Sequence, residues 1–93
     1  MNKGDLINRV CEKSFVTRKE ADLIINIILE SITHAVASGD TVTLVGFGSF
    51  RSRQRKARLG RNPKTGERIL VASSRVAVFS VGKYFKEKVN QEW

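Results

Sequence analysis

A chain of 93 residues with one cysteine, Cys11, and one histidine, His34, has no internal disulfide and too few soft ligands for a metal centre. Its net charge of +8 is lopsided: residues 1–40 hold five Lys/Arg against six Asp/Glu, and residues 41–93 hold twelve against three. Such asymmetry implies a polyanion-binding region in the second part of the chain rather than a merely solubilising surface, and the most apolar stretch, residues 23–29, is too short to span a bilayer.

Two helices are expected first. Asn2 with Asp5, and Thr17 with Glu20, have the spacing of capping boxes. Leu6, Ile7, Val10 and Cys11 then recur at helical spacing, with Phe15 and Val16 expected to pack the corner. Over residues 18–38 the stripe is Ala21, Ile24, Ile25, Ile28, Leu29, Ile32 and Val36, ended by Gly39 as a C′ residue. Leu23 and Ile27 widen that stripe beyond what one partner helix covers. A chain this short buries only roughly 60–65% of its unfolded surface, so a second copy is the expected cover for the helix. Cys11 is expected in the core and His34 on a solvated helix face. No basic, apolar leader opens the chain, so the expected product lacks a signal peptide and is cytosolic.

At Thr41 the period changes to two. Residues 41–45 alternate as a strand, Gly46-Phe47-Gly48 makes a tight turn, and Ser49 and Phe50 resume the strand. Gly46 and Gly48 serve backbone geometry rather than ligand binding. Residues 51–58 offer almost no apolar side chain. Residues 69–79 are again strand-like, and a short helix is expected over residues 82–90, apolar at Tyr84, Phe85 and Val89. No internal repeat or linker divides residues 1–93. The expected organisation is a helical part over 1–40, sheet and arm over 41–80, and the last helix.

Residues 53–74 are expected to leave the globule, because a packed strand there would have to bury arginines. Asn62-Pro63 and Thr65-Gly66 are turn signals, and proline cannot donate to a ladder. The consistent picture is a projecting β-ribbon with its tip near Pro63. It carries Arg53, Arg55, Lys56, Arg58, Arg61, Lys64 and Arg68 against one acid, Glu67. An isolated ribbon is marginal in water, and this one repels itself until phosphates neutralise it. Mobility of the free arm is expected.

Gly46-Phe47-x-x-Phe50, followed by Arg55-x-x-Arg58-x-Gly60-x-Asn62-Pro63-x-Thr65, resembles the signature of the bacterial histone-like HU and integration-host-factor proteins. The opening Met1-Asn2-Lys3 and the later Phe79-x-x-Gly82-Lys83 are also similar to HU, and the likeness runs along essentially the whole chain. The resemblance implies an α+β fold: an intertwined dimer with a helical base, a β-sheet saddle and one long β-ribbon arm per subunit. It implies binding and bending of double-stranded DNA through the minor groove, with no small-molecule substrate, cofactor or membrane. By position, Pro63 is the wedge entering a base step, a mode for which HU and integration host factor are themselves type cases. Arg61 and Asn62 lie beside it in the groove. Arg53, Arg55, Lys56, Arg58, Lys64, Arg68 and Arg75 hold DNA along the arm and its base, and Lys3, Lys83 and Lys86 contact flanking DNA. Ile24, Ile25, Ile28, Leu29, Ile32, Leu44, Phe47, Phe50 and Phe79 form the dimer core. Many relatives have prolines where this chain has Ala72 and Ala77, which bears on the stiffness of the arm base.

Minor-groove edges carry a degenerate code, so a ribbon reading them has little sequence preference. The HU-like N-terminus and short tail favour a non-specific homodimer, and the resemblance implies a place in the nucleoid. A site-specific factor of the integration-host-factor kind, or one half of a heterodimer with a paralogue, is the alternative. RNA binding is weaker, because no aromatic lies between Arg51 and Arg75 to stack a base. An enzyme is not expected, since one His and one Cys give no nucleophilic or metal cluster.

Overall fold

The computed structural model describes residues 1–91; the terminal Glu92 and Trp93 lie outside the described residues. The chain forms two compact units, residues 1–34 and residue 35 onward.

In the first unit, α1 (Lys3–Lys13) begins with the expected capping box: Asn2 Oδ1 accepts from the Asp5 amide at 3.0 Å, and Asp5 Oδ2 accepts from the Asn2 amide at 2.9 Å. The second helix, α2 (Arg18–Ala37), starts the same way, with Glu20 N donating to Thr17 Oγ1 at 3.2 Å and Thr17 N to Glu20 Oε1 at 3.3 Å. These bonds satisfy donors that a helix start otherwise leaves orphaned. Ile7 and Ala21 are buried, and Lys3 bridges to α2 through Asp22 at 3.2 Å and a hydrogen bond to Asn26. Phe15 does not pack the corner: it is fully exposed, and Val16 is half-buried. Phe15 lies beyond the C-cap Ser14, where helical spacing no longer governs side-chain direction.

Little of the α2 stripe is covered by its own chain. Leu23, Ile24, Ile27, Ile28 and Leu29 remain 46–60% exposed, while Ile25 and Ile32 are half-buried. The helix ends in a Schellman motif, Asp40 N donating to Ala35 O at 2.9 Å and Gly39 N to Val36 O at 3.0 Å, with Gly39 at φ 89°.

The second unit contains β1 (Val42–Leu44), β2 (Gly48–Arg55), β3 (Arg58–Arg61), β4 (Arg68–Val71), β5 (Ser74–Val81) and α3 (Lys83–Gln91). An antiparallel sheet has the order β1-β2-β5, and β3 and β4 form a separate hairpin. Three boundaries differ from expectation. The first strand is shorter, because Val45 enters the turn before Gly48. The strand expected over residues 69–79 is broken at Ala72 and Ser73. The body sheet also extends further than expected, with β2 and β5 paired out to Arg55 opposite Ser74. Arginines need not be buried there, because alternate positions of a sheet can face solvent.

Phe47, Phe50, Phe79 and Phe85 form the apolar centre of this unit. Phe50 and Phe79 are direct cross-strand partners with ring centroids 4.8 Å apart; Phe47 lies 5.4 Å from Phe79 and 5.3 Å from Phe85. The turn at residues 45–47 also seats α3: Gly46 O accepts from Phe85 N at 3.2 Å, and Phe47 O from Gly82 N at 2.7 Å. Gly48 makes the arrangement possible, since a Cβ there would lie 2.4 Å from Phe79 Cε1 and 2.5 Å from Ser80 O. Gly48→Ala is therefore expected to destabilise the fold by about 3 kcal/mol, seen as a lower urea midpoint. Gly60→Ala, whose Cβ would meet only Val71 Cγ2 at 3.3 Å and Ile69 Cγ1 at 3.9 Å, is expected to cost under about 1 kcal/mol.

Candidate nucleic-acid interface

Strand alternation divides the body sheet into two chemically distinct faces. Gly48, Phe50, Ser52 and Gln54 of β2 share one face with Val81, Phe79, Ala77 and Arg75 of β5. The opposite face carries Ser49, Arg51, Arg53 and Arg55, opposed by Ser80, Val78, Val76 and Ser74. Thr43 of β1 extends this second face, its hydroxyl 3.2 Å from that of Ser49. Three exposed arginines thus stand in a row about 7 Å apart, as a two-residue strand repeat dictates. Arg51 lies outside the arm expected over residues 53–74 and adds to the expected site residues. The two-residue spacing of Arg51, Arg53 and Arg55 was the available signal.

Beyond Arg55 the ladder is interrupted at Lys56 and Ala57 on one side and Ala72 and Ser73 on the other, then resumes as β3–β4. Arg55, Lys56, Arg58, Val71, Ala72 and Ser74 line a cleft of about 530 Å³ at this joint. On the distal hairpin, Gly60 leaves room for Ile69 and Val71 to cover one face. The other face pairs Leu59 with Leu70 and Arg61 with Arg68. Like charges directly opposite destabilise a hairpin, so this pairing favours an external anion.

The tip is built largely by Asn62. Its backbone N–H donates to Glu67 O at 2.8 Å, its carbonyl accepts from Gly66 N at 2.7 Å, and its side-chain Oδ1 accepts from Lys64 N at 2.9 Å. Thr65 Oγ1 accepts from Glu67 N at 3.3 Å. Pro63 sits in this turn, outside both strands, where its missing N–H costs no ladder bond. The turn expected from Asn62-Pro63 is present, and the structure adds that Asn62 closes it through three of its own atoms.

Other expected site residues are distributed differently. Lys83 and Lys86 are exposed on α3, Lys83 lying 4.0 Å from Glu87. Lys3 belongs to the first unit, paired with Asp22. Arg75, expected to hold DNA, stands on the other side of the sheet from the row of Arg51, Arg53 and Arg55. It lies on the aromatic face of the sheet, and its guanidinium donates to Ala37 O at 3.3 Å, Val36 O at 3.5 Å and Ser52 Oγ at 3.0 Å. The cause is register: Arg75 is out of phase with Arg51, Arg53 and Arg55.

Among the described residues, none of the arm cations forms an ion pair. Nor do three His, Cys, Asp or Glu side chains gather where they could hold a metal, and no helix is long and apolar enough to cross a membrane. What the geometry offers is a row of guanidiniums, each able to donate a paired fork to a phosphate, continued by a cationic ribbon with a preformed tip. A two-faced sheet that extends such a ribbon defines a polyanion-binding protein of the β-arm type.

Comparison with known proteins gives the same class. A sequence model of the family described as "Bacterial DNA-binding protein" matches residues 1–90. DNA-binding protein HU of a Nostoc strain is 60% identical over 89 residues, covering 96% of this chain and 95% of that protein. DNA-binding protein HU of a Synechocystis strain is 48% identical over 98 residues, with coverage of 99% and 98%. Among solved structures, an Anabaena HU–DNA cocrystal structure superposes with a TM-score of 0.91 at 60% identity, covering 96% of this chain and 97% of that one. Thermotoga maritima HU gives 0.68 at 38% identity, with coverage of 96% and 98%. The chain belongs to the bacterial DNA-binding protein family.

Proposed function

We propose that this protein is an HU-type architectural factor that binds double-stranded DNA through the minor groove with little regard to sequence and bends it. The observation that carries the reading is the unneutralised cationic surface, continuous from Arg51, Arg53 and Arg55 to the ribbon, in a fold so similar to one crystallised on DNA. Arg51, Arg53, Arg55, Lys56, Arg58, Lys64 and Arg68 hold phosphates. Arg61 and Asn62 lie in the groove beside Pro63, which enters a base step. Lys3, Lys83 and Lys86 contact flanking DNA. The protein acts in the cytoplasm, associated with the nucleoid. Residues 1–40 serve dimerisation, and residues 41–80 form the sheet and arm.

The acting species is a homodimer. Ile24, Ile28, Leu29 and Leu44 are exposed in one chain, as are Phe47 and Phe79 in part; Ile25, Ile32 and Phe50 are half-buried. Leaving about half of each α2 side chain wet forfeits roughly 1 kcal/mol per residue, and a second copy of the same helix recovers it. Sedimentation equilibrium at micromolar concentration is expected to give a dimer, and Ile28→Asp is expected to unfold the chain rather than release folded monomers.

Neutralising the roughly fourteen phosphates that seven residues per chain hold in a dimer gives a slope of log K against log salt of about −13. Arg51→Ala and Arg55→Ala should each make it shallower by about 2, because every substitution removes two contacts per dimer. Fluorescence titration of a duplex at several salt concentrations reads this, and a parent slope near zero would remove the phosphate contacts from the mechanism.

Pro63 carries bending more than binding. Its ring is rigid and apolar and brings no N–H into the stack. Unstacking a step costs a few kcal/mol, offset by phosphate contacts that a bent duplex reaches; HU and integration host factor are type cases of that exchange. Pro63→Ala is expected to keep most of its affinity for nicked duplex while binding and bending intact duplex less. Energy transfer between end-labelled dyes measures the bend, and a variant that bends intact DNA as sharply as the parent reduces Pro63 to a turn residue.

A further inference from the structure

We infer that Arg75 is a positioning residue: its guanidinium clasps the C-terminus of α2 to the root of the arm and so sets how the arm leaves the body. The inference rests on the DNA-binding reading above for its functional consequence, while the clasp itself stands on geometry.

The last four carbonyls of a helix have no intrahelical partner, and the helix end carries partial negative charge. The Schellman bonds from Gly39 and Asp40 go to Val36 O and Ala35 O, which leaves Ala37 O without a backbone donor from that motif. Arg75 Nη1 reaches Ala37 O at 3.3 Å, and Nη2 reaches Val36 O at 3.5 Å. Nη2 also donates to Ser52 Oγ at 3.0 Å. Ser52 lies on β2 opposite Ala77, so the clasp spans both strands that run out into the arm. The guanidinium rests against the helix exit as well, since a Cβ on Gly39 would lie 3.8 Å from Nη2.

Three features favour positioning over phosphate binding. The side chain is on the aromatic face, opposite the row of Arg51, Arg53 and Arg55. Its fork is already committed to two carbonyls and a hydroxyl. The clasp also falls just before the joint at Ala72 and Ser73, in a strand with no proline, so β5 has no rigid ring to stiffen it. A planar guanidinium with several fixed donors suits the task, whereas a lysine ammonium has no fork to span two carbonyls and a hydroxyl.

The test compares the full-length parent with Arg75→Gln, Arg75→Lys and Ser52→Ala. Amide exchange is followed at residues 52–55 and 74–77, and duplex affinity is measured across a salt series. Loss of charge-assisted hydrogen bonds at the root should speed exchange there about tenfold in Arg75→Gln. Affinity for intact duplex falls severalfold, but the salt slope stays that of the parent because no phosphate contact is lost. Arg75→Lys recovers part of the protection, and Ser52→Ala, which removes no charge, gives a smaller change of the same kind. A slope shallower by about 2 in Arg75→Gln makes Arg75 a phosphate ligand and overturns the inference. Unchanged exchange in Arg75→Gln overturns it too. If Arg75→Gln does not fold, unchanged exchange in Ser52→Ala does so. Failure of the parent itself to bind duplex would instead overturn the proposed function and leave the exchange result to decide the clasp.

Discussion

The two-residue alternation along β2 and β5 is the constraint on which the rest of this chain depends. It lets phenylalanines and arginines occupy the same strand while facing opposite ways. A slip of one residue would turn Arg51, Arg53 and Arg55 toward the aromatic cluster and Phe50 toward solvent. Register is held at the end of the strands remote from the arm: Gly48 fits beneath Phe79, and Gly82 and α3 are bonded to the turn at residues 45–47. A glycine with no charge therefore governs where the cations point several residues away.

The same economy explains why the chain is short of core. Among the described residues the buried apolar side chains are Ile7, Ala21 and Val36, and the aromatic cluster leaves Phe47 and Phe79 partly open. Folding must overcome the conformational entropy of the backbone with apolar burial, and one copy offers little. On the proposed reading, pairing α2 with its counterpart supplies that burial and also sets two arms on one body. Dimerisation and DNA binding are linked on that reading, because an isolated ribbon is marginal in water and an apolar helix left half exposed forfeits burial. Stability so arranged depends on protomer concentration.

Legibility in the sequence followed the range of the interactions. The capping boxes at Asn2–Asp5 and Thr17–Glu20, the Gly39 exit and the turn around Pro63 were all readable, because each is closed by residues within a few positions. The arm boundary was not, because a run of arginines argues against a packed strand only where both faces are buried, and here one face meets solvent. Arg75 was legible only as charge. Its partners Val36 and Ala37 are 39 and 38 positions away, and no local rule connects them. Phe85 was visible as an apolar helix position, yet its contact with Phe47 depends on how Gly46 caps α3. Phe15 failed as a corner residue because past Ser14 no period assigns it a direction.

The ribbon tip and the ribbon stem solve different problems. The stem sets Arg61 opposite Arg68 and leaves Leu59 and Leu70 about 70% exposed, so its pairing is weak in water. The tip depends on neither charge nor apolar cover: one hydrogen bond donated by Asn62, two accepted by it and one accepted by Thr65 close it. A self-closed tip keeps Pro63 presented without relying on the stem for its closure. Phosphates that screen the stem have then only to order strands whose end is already joined, which lowers the entropy lost on binding. The backbone of Asn62 also remains occupied within the turn, so Pro63 can enter an apolar stack without drawing an unsatisfied neighbour after it. On this reading the wedge works because the backbone N–H and carbonyl of the residue beside it are already paired within the turn.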